Sequence, residues 1–351
     1  MKRILTGDRP TGRLHLGHYV GSLKNRVKLQ SEYECFFIIA DLHTLTTQPE
    51  NTKDLKENIH QLVLDYLSVG INPEKATIYV QSQIPEVAEL AVIFQNLVTV
   101  PRLQRLPTLK DVMRDAHIKI PSFGLLGYPV LQAADILMVK ADLVPVGKDQ
   151  VSHIEITREI AREFNRIYSS NDTGSLSSDP VSKDGLFPIP EALIPKDMGV
   201  LPGTDGKAKM SKSAGNVINL SDDSATIKKK VMGMFTDPKR IHGDEPGDIK
   251  NNPVFIYLDA FAPEVKNQSA KVKVEEYKEK YIKGTIKDVE VKEFLVSVLE
   301  EFLQPLRARR RKYEKDTEYV EKILKEGTEK ARAEAQETLT QVKRAMNLDY
   351  F

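Results

Sequence analysis

The sequence predicts an α/β protein, a doubly wound parallel sheet followed by an all-α helical bundle. Three observations predict it. Short β-rich runs alternate with helical stretches through residues 3–167. The run Cys35-Phe36-Phe37-Ile38-Ile39-Ala40 is continuously apolar, as in a parallel strand covered on both faces. Beyond about Ser221 the strand signal stops and helical periodicity takes over.

Taken in order, Arg3-Ile4-Leu5 reads as a strand, and 16–30 as a helix opened by a Gly-rich turn. The apolar strand 35–40 follows. Residues 54–69 carry helical spacing (Leu55, Ile59, Leu62, Val63, Tyr66, Leu67) and stop at Gly70. Residues 76–80 read as a strand, 87–98 as a helix, 128–139 as a helix, 142–146 as a strand and 149–167 as a helix. Alternation of this kind builds right-handed βαβ units, whose ligands bind beyond the carboxyl ends of the strands, where the strand order reverses. The Ser-rich stretch 169–180 reads as a surface loop, and a Gly/Lys/Ser-rich stretch occupies 203–216. In the helical part, Phe294, Leu295, Val298, Leu299, Phe302, Leu303 and Leu306 keep one face from Val291 onward. A last helix is expected after Gly327, with Ala331, Ala335, Leu339, Val342 and Met346 on its apolar face. These readings divide the chain at about residue 218, into 1–218 and 219–351.

Composition bounds the function. With 351 residues, 40% hydrophobic and 29% charged, the chain suits a soluble globular protein of two domains. No apolar run approaches the ~18–20 residues of a membrane span, and the amino-terminal residues turn polar at Thr6-Gly7, so neither a membrane partner nor a signal peptide is expected. The single cysteine, Cys35, cannot form an internal disulfide or hold a zinc or iron–sulfur site alone, and its neighbours make it a core thiol. The expected location is cytoplasmic. A net charge of +1 gives no global nucleic-acid signal, so RNA contacts would have to come from local patches.

Two constellations carry chemistry. The first is 6–18, Thr-Gly-Asp-Arg-Pro-Thr-Gly-Arg-Leu-His-Leu-Gly-His, between the first strand and the first helix. Its glycines permit a tight turn, and the helix start supplies unpaired N–H groups suited to phosphate. His15 and His18 share one helical face and could donate to phosphate oxygens without burying a full charge. Gly17 offers bare backbone on which an adenine could lie. The bland alternative is a structural turn with surface histidines. The second constellation is Lys209-Met210-Ser211-Lys212-Ser213, whose lysines could reach the phosphates of ATP and act as charge builds on leaving pyrophosphate. A Lys-x-x-Lys alone is usually a solvated loop.

Together the two resemble the HIGH and KMSKS motifs of class I aminoacyl-tRNA synthetases, one opening a Rossmann-like domain and one closing it. Asp41-Leu42-His43, Tyr128-Pro129, Ala133-Ala134-Asp135-Ile136-Leu137, Val144-Pro145-Val146-Gly147-Lys148-Asp149-Gln150 and the run 342–348 resemble the bacterial tryptophanyl branch. The resemblance spans the chain except the Ser-rich loop, which looks like an insertion.

The resemblance implies a ligase that activates L-tryptophan with ATP and Mg²⁺, then esterifies the terminal 2′-hydroxyl of its tRNA. His15, His18, Lys209 and Lys212 would be catalytic. ATP would meet Asp8, Arg9, Pro10, Thr11, Gly17, Gly147, Lys148, Asp149, Val200, Leu201, Met210, Ser211 and Ser213, with Val200 and Leu201 on a strand before the lysine loop. The amino acid would meet Leu5, Gly7, His43, Tyr128, Gln132, Asp135, Val144, Val146 and Gln150. Asp135 would accept the indole N–H, and an acceptor built for an N–H rejects analogues lacking it. The Mg²⁺ would ride on the phosphates, with no metal held by the protein alone. The helical part would read the anticodon, and the enzyme would be a homodimer. Arg307, Arg309, Arg310, Arg311 and Lys312 form the densest basic cluster, which reads equally as a solvated face or an RNA contact.

Three positions depart from the pattern. Gln132 stands where many bacterial members have methionine and resembles some tyrosyl enzymes. Arg9 replaces a commoner glutamine. Lys110 is the lysine offered in 105–112, where the family places a mobile catalytic lysine. The alternatives are a tyrosyl-tRNA synthetase and a tryptophan-binding paralogue that does not charge tRNA.

Overall fold

Side chains alternate across a strand, and here both faces are apolar. Ile4, Cys35, Phe37, Ile39, Ile78 and Val80 enter one core, while Leu5, Phe36, Ile38 and Tyr79 enter another on the opposite face. The computed structural model describes the chain except residues 148–149, 169–184, 195–198, 207–208, 213, 238–239, 241, 243–244 and 351. Among the described residues the strands β1 (Arg3–Asp8), β2 (Glu34–Ile39), β3 (Ala76–Val80), β4 (Leu143–Pro145) and β5 (Glu191–Leu193) form one parallel sheet ordered β3-β2-β1-β4-β5. The β1–β2 register runs from Arg3↔Glu34 to Asp8↔Ile39. The order reverses between β1 and β4.

Helix α1 follows β1 as a short turn Leu16–His18, a π-helical stretch Tyr19–Leu23 and an α-helical segment Lys24–Leu29. Next come α2 (Asp41–Leu45), α3 (Leu55–Val69), α4 (Pro85–Phe94), α5 (Val100–Gln104), α6 (Pro107–Asp115), α7 (Phe123–Met138) and α8 (Val151–Tyr168). Helix α3 ends on Gly70 in the left-handed region, as its sequence predicts. The helical half contains α9 (Ser224–Met232), α10 (Pro253–Phe261), α11 (Ser269–Ile282), α12 (Asp288–Glu314) and α13 (Thr317–Ala345). No described helix is long and apolar enough to cross a membrane.

Four expectations are corrected. The last helix does not follow Gly327. It begins at Thr317, where Asp316 accepts the Tyr319 N–H at 3.1 Å, and Gly327 lies inside it. A Cβ on Gly327 would stand 2.0 Å from the Ile78 carbonyl oxygen, so glycine is there for close approach to β3. Val200 and Leu201 are not on a strand; the pairing nearby is the single bridge Pro202↔Lys209. The short strand β5 was not expected. Within the basic cluster on α12, Arg307 and Arg310 are buried, and Arg309, though exposed, is tied to the fold. Arg307 pairs with Glu300 and donates to the Asp222 carbonyl at 3.0 Å, Arg309 donates to the Ser68 carbonyl at 2.7 Å, and Arg310 pairs with Asp65. Only Arg311 and Lys312 of the five remain exposed without such a bond. The Ser-rich stretch 169–180 lies outside the described residues.

Helix α13 passes round the β3 edge. Val320 and Ile323 belong to the first core, whereas Ala331, Ala335, Leu339 and Val342 belong to the second. At the crossing, Val80 N–H donates to Thr328 Oγ1 at 3.3 Å, satisfying a donor that an edge strand would otherwise present to solvent.

Candidate active site

The carboxyl ends of β1 and β4 flank the reversal, and a cavity of about 530 Å³ opens there. All nine residues expected to meet the amino acid line it: Leu5, Gly7, His43, Tyr128, Gln132, Asp135, Val144, Val146 and Gln150. Gly7 is required by packing, since a Cβ there would lie 1.9 Å from the Ile38 carbonyl oxygen. Helix α7 carries Tyr128, Gln132 and Asp135 on successive turns facing the cavity.

Asp135 is 2% exposed. Its Oδ2 accepts from His43 Nε2 and Gln81 Nε2, each at 2.9 Å, and its Oδ1 from Gln81 Nε2 at 2.9 Å. A carboxylate has about four acceptor positions, and these three bonds leave one of them, on Oδ1. Burial raises the Asp135 carboxyl above the ordinary range, against the pull of His43 and Gln81. Gln81 was not anticipated, although a glutamine just past a parallel strand, where ligands of such sheets bind, was a usable signal. His153 was also missed. It is buried on α8, and the Tyr128 hydroxyl lies 2.6 Å from its Nε2, fixing the phenol.

A second cavity of about 500 Å³ is lined by Arg9, Pro10, Thr11, His15, His18, Ser211 and Lys212, and also by Gln48, Asn51 and Asn58. Arg9 lines both cavities. The imidazoles of His15 and His18 lie with centroids 3.8 Å apart. His18 Nδ1 accepts the His15 backbone N–H at 3.2 Å, which places the His18 proton on Nε2. Burial, together with His18, Lys212 and Lys209, lowers His15 to about 3. Burial also lowers His18, to about 4, against the opposing pull of Asp8. Both are therefore neutral donors at pH 7.

Asp8 lines the first cavity but is held by Arg26 Nη1 at 2.6 Å and the Tyr66 hydroxyl at 2.7 Å. Burial would raise its carboxyl, but Arg26 and His18 outweigh it and hold it at about 2.

Lys212 Nζ donates to the Gly12 carbonyl at 2.9 Å and the Thr11 carbonyl at 3.2 Å, so the lysine loop already bridges to the first loop. Asn216 braces this loop from inside, accepting the Ser211 N–H at 2.8 Å and donating to Asp205 Oδ1 at 3.1 Å. Lys209 is exposed and Val200 is 66% exposed; neither lines either of these two cavities. Leu201 and Met210 are buried in the first core, and Met210 Sδ faces Gly17, together with the His15 ring, where an adenine was expected. Gly147 lines the first cavity. Lys148, Asp149 and Ser213 lie outside the described residues. Lys110 is exposed and does not line the first cavity, while Thr108, Asp111, Val112 and Asp115 of the same helix do.

Neutral imidazoles and a lysine loop around one cavity, with a buried carboxylate in the next, describe an enzyme that activates an amino acid with a nucleoside triphosphate. This is the arrangement of class I aminoacyl-tRNA synthetases. The family model "tRNA synthetases class I (W and Y)" matches residues 1–304, and the chain belongs to this family. Over 350 residues it is 53% identical to the tryptophan–tRNA ligase of Treponema pallidum, covering 99% of this chain and 97% of that protein. It is 50% identical to that of Streptococcus mutans over 352 residues, covering 99% and 98%. The tryptophanyl-tRNA synthetase of Campylobacter jejuni, solved with ADP and tryptophan, superimposes with a TM-score of 0.82 at 32% identity, covering 98% of this chain and 99% of that one.

Proposed function

We propose that the chain is a tryptophan–tRNA ligase and that the two cavities hold tryptophan and the ATP phosphates. The observation that carries the tryptophan site is the gathering of a buried Asp135 and the eight other expected residues around one cavity. Asp135 receives the indole N–H, Val144 and Val146 wall the ring, and Tyr128 and Gln150 hold the amino and carboxylate ends. The tryptophan carboxylate attacks the α-phosphate in line and pyrophosphate departs. His15 and His18 donate Nε2–H groups to phosphate oxygens, and Lys212 and Lys209 neutralise the leaving group. No protein nucleophile is needed; position and charge carry the rate. The adenylate then yields its acyl group to the terminal 2′-hydroxyl of tRNA(Trp), releasing AMP.

Gln48, Asn51 and Asn58 face the second cavity as neutral oxygen donors, and no carboxylate lines it among the described residues, a setting that fits a Mg²⁺ carried on ATP oxygens. The ion would add positive charge at those oxygens. Residues 1–218 form the catalytic unit in this reading, and 219–351 the unit that meets the anticodon, although α13 returns to the sheet. Val92, Val100 and Phe123, at least half exposed on α4, α5 and α7, supply apolar surface for a homodimer interface. A cytoplasmic location goes with charging of tRNA.

The test is amino-acid-dependent ATP–pyrophosphate exchange across the twenty amino acids. Exchange with tryptophan alone is expected. Exchange driven by tyrosine would overturn the specificity, and binding of tryptophan without exchange would point to a paralogue that does not activate it.

A further inference from the structure

Asp65 lies in the middle of α3, fully buried, and neither cavity includes it. Its Oδ2 accepts the Leu14 backbone N–H at 2.7 Å, one residue before His15. Its Oδ1 pairs with Arg310 Nη1 from α12, whose side chain is 4% exposed. Arg310 also donates from Nη2 to Gln61 Oε1 on α3 and from Nε to Glu314, so each of its three guanidinium nitrogens is engaged. On the other side of the turn, the Leu14 carbonyl accepts from Leu220 at 3.0 Å and the Ile218 carbonyl from Leu16 at 2.9 Å. Leu14 is thus clamped between α3 and the segment that follows the lysine loop. The amino-terminal end of α3 reaches the second cavity through Leu55 and Asn58.

A buried ion pair of this kind is a poor device for stability alone, because well-packed apolar residues commonly serve as well or better. What it does fix is direction: two carboxylate oxygens tie one helix of the helical half to one backbone N–H of the histidine turn. We infer that Asp65 and Arg310 are a positioning pair, through which the seat of α12 on α3 sets the placement of the His15–His18 turn against ATP. This rests on reading that turn as the phosphate-binding element. Neither residue touches substrate; both act through Leu14.

Arg310→Leu and Asp65→Asn test this in the full chain, read by pyrophosphate exchange with ATP and tryptophan varied separately. Each is expected to raise KM for ATP by about tenfold while KM for tryptophan stays within about twofold. Arg310→Lys should restore part of the loss, since it keeps the charge. In a cycle with His18→Ala, the losses from Arg310→Leu and His18→Ala should not add, the interaction being about tenfold. A merely structural role would lower Tm and active fraction without separating ATP from tryptophan. Folded variants with unchanged or equally changed KM values, or strictly additive losses in the cycle, overturn the inference. If His18→Ala itself leaves ATP kinetics intact, it is the underlying reading of the turn that fails. Should Arg310→Leu not fold, Asp65→Asn and Arg310→Lys carry the same comparison.

Discussion

Gln81 Nε2 lies 2.9 Å from each carboxylate oxygen of Asp135. The amide holds the carboxylate in one orientation while His43 takes a further position on Oδ2. Gln81→Leu would leave that orientation to His43 alone. We expect KM for tryptophan to rise by about tenfold with KM for ATP little changed, and Asp135→Ala to cost about 1–3 kcal/mol of tryptophan binding. Equal effects on both substrates in pyrophosphate exchange would remove Asp135 from the indole.

Lys212 bridges the lysine loop to the loop before His15 through the Gly12 and Thr11 carbonyls. Lys212→Met keeps the length and loses the charge. The expected result is a fall of about 10²–10³ in kcat for activation, the range found when one preorganised donor is removed, with KM for tryptophan unchanged. Single-turnover formation of the adenylate reads this directly.

His15 and His18, lowered to about 3 and 4, bind protons in the unfolded chain before they do in the folded one. Stability therefore falls as pH drops from about 6.5 towards 4. Asp8, held at about 2, adds stability that is full above its ordinary pKa and lost as pH falls from about 4 through 2. Both effects run in the same direction. Thermal unfolding should show Tm declining steadily below pH 6.5, and His18→Gln should flatten the upper part of that decline. Exchange activity should show no histidine limb between about pH 6 and 8.

Gly327 offers a test of the fold. Its missing Cβ would stand 2.0 Å from the Ile78 carbonyl oxygen. In an exposed helix, Gly→Ala stabilises by about 1 kcal/mol. Here Gly327→Ala should destabilise instead, by about 1–3 kcal/mol, as overpacking does. A raised Tm would show that α13 can move away from β3 freely.

Much of the site was legible because it lies where the strand order reverses, and short motifs mark that place. His15, His18 and the apolar strand 35–40 sit where periodicity and spacing put them. What stayed hidden depends on contacts distant in the chain. A glycine inside a helical pattern looks like a start, and nothing near Gly327 announces Ile78. Arg307, Arg309 and Arg310 look like a surface cluster until α3 and the carbonyls of Ser68 and Asp222 come to meet them. The strand β5 has three residues beside Pro188 and Pro190, too few to show a period. Gln81 and His153 act by holding other side chains, and such roles leave no local pattern.

The path of α13 round β3 bears on how the molecule is born. Val80 and Thr328, whose bond covers the strand edge, are 248 residues apart. At ~5–20 residues per second, the ribosome needs on the order of ten to fifty seconds between making one and the other. For that interval the emerging sheet carries an open border able to recruit a strand from a neighbouring nascent chain. Chaperone occupancy during translation should accordingly be heaviest after the third strand emerges and end only when the last helix has closed over it.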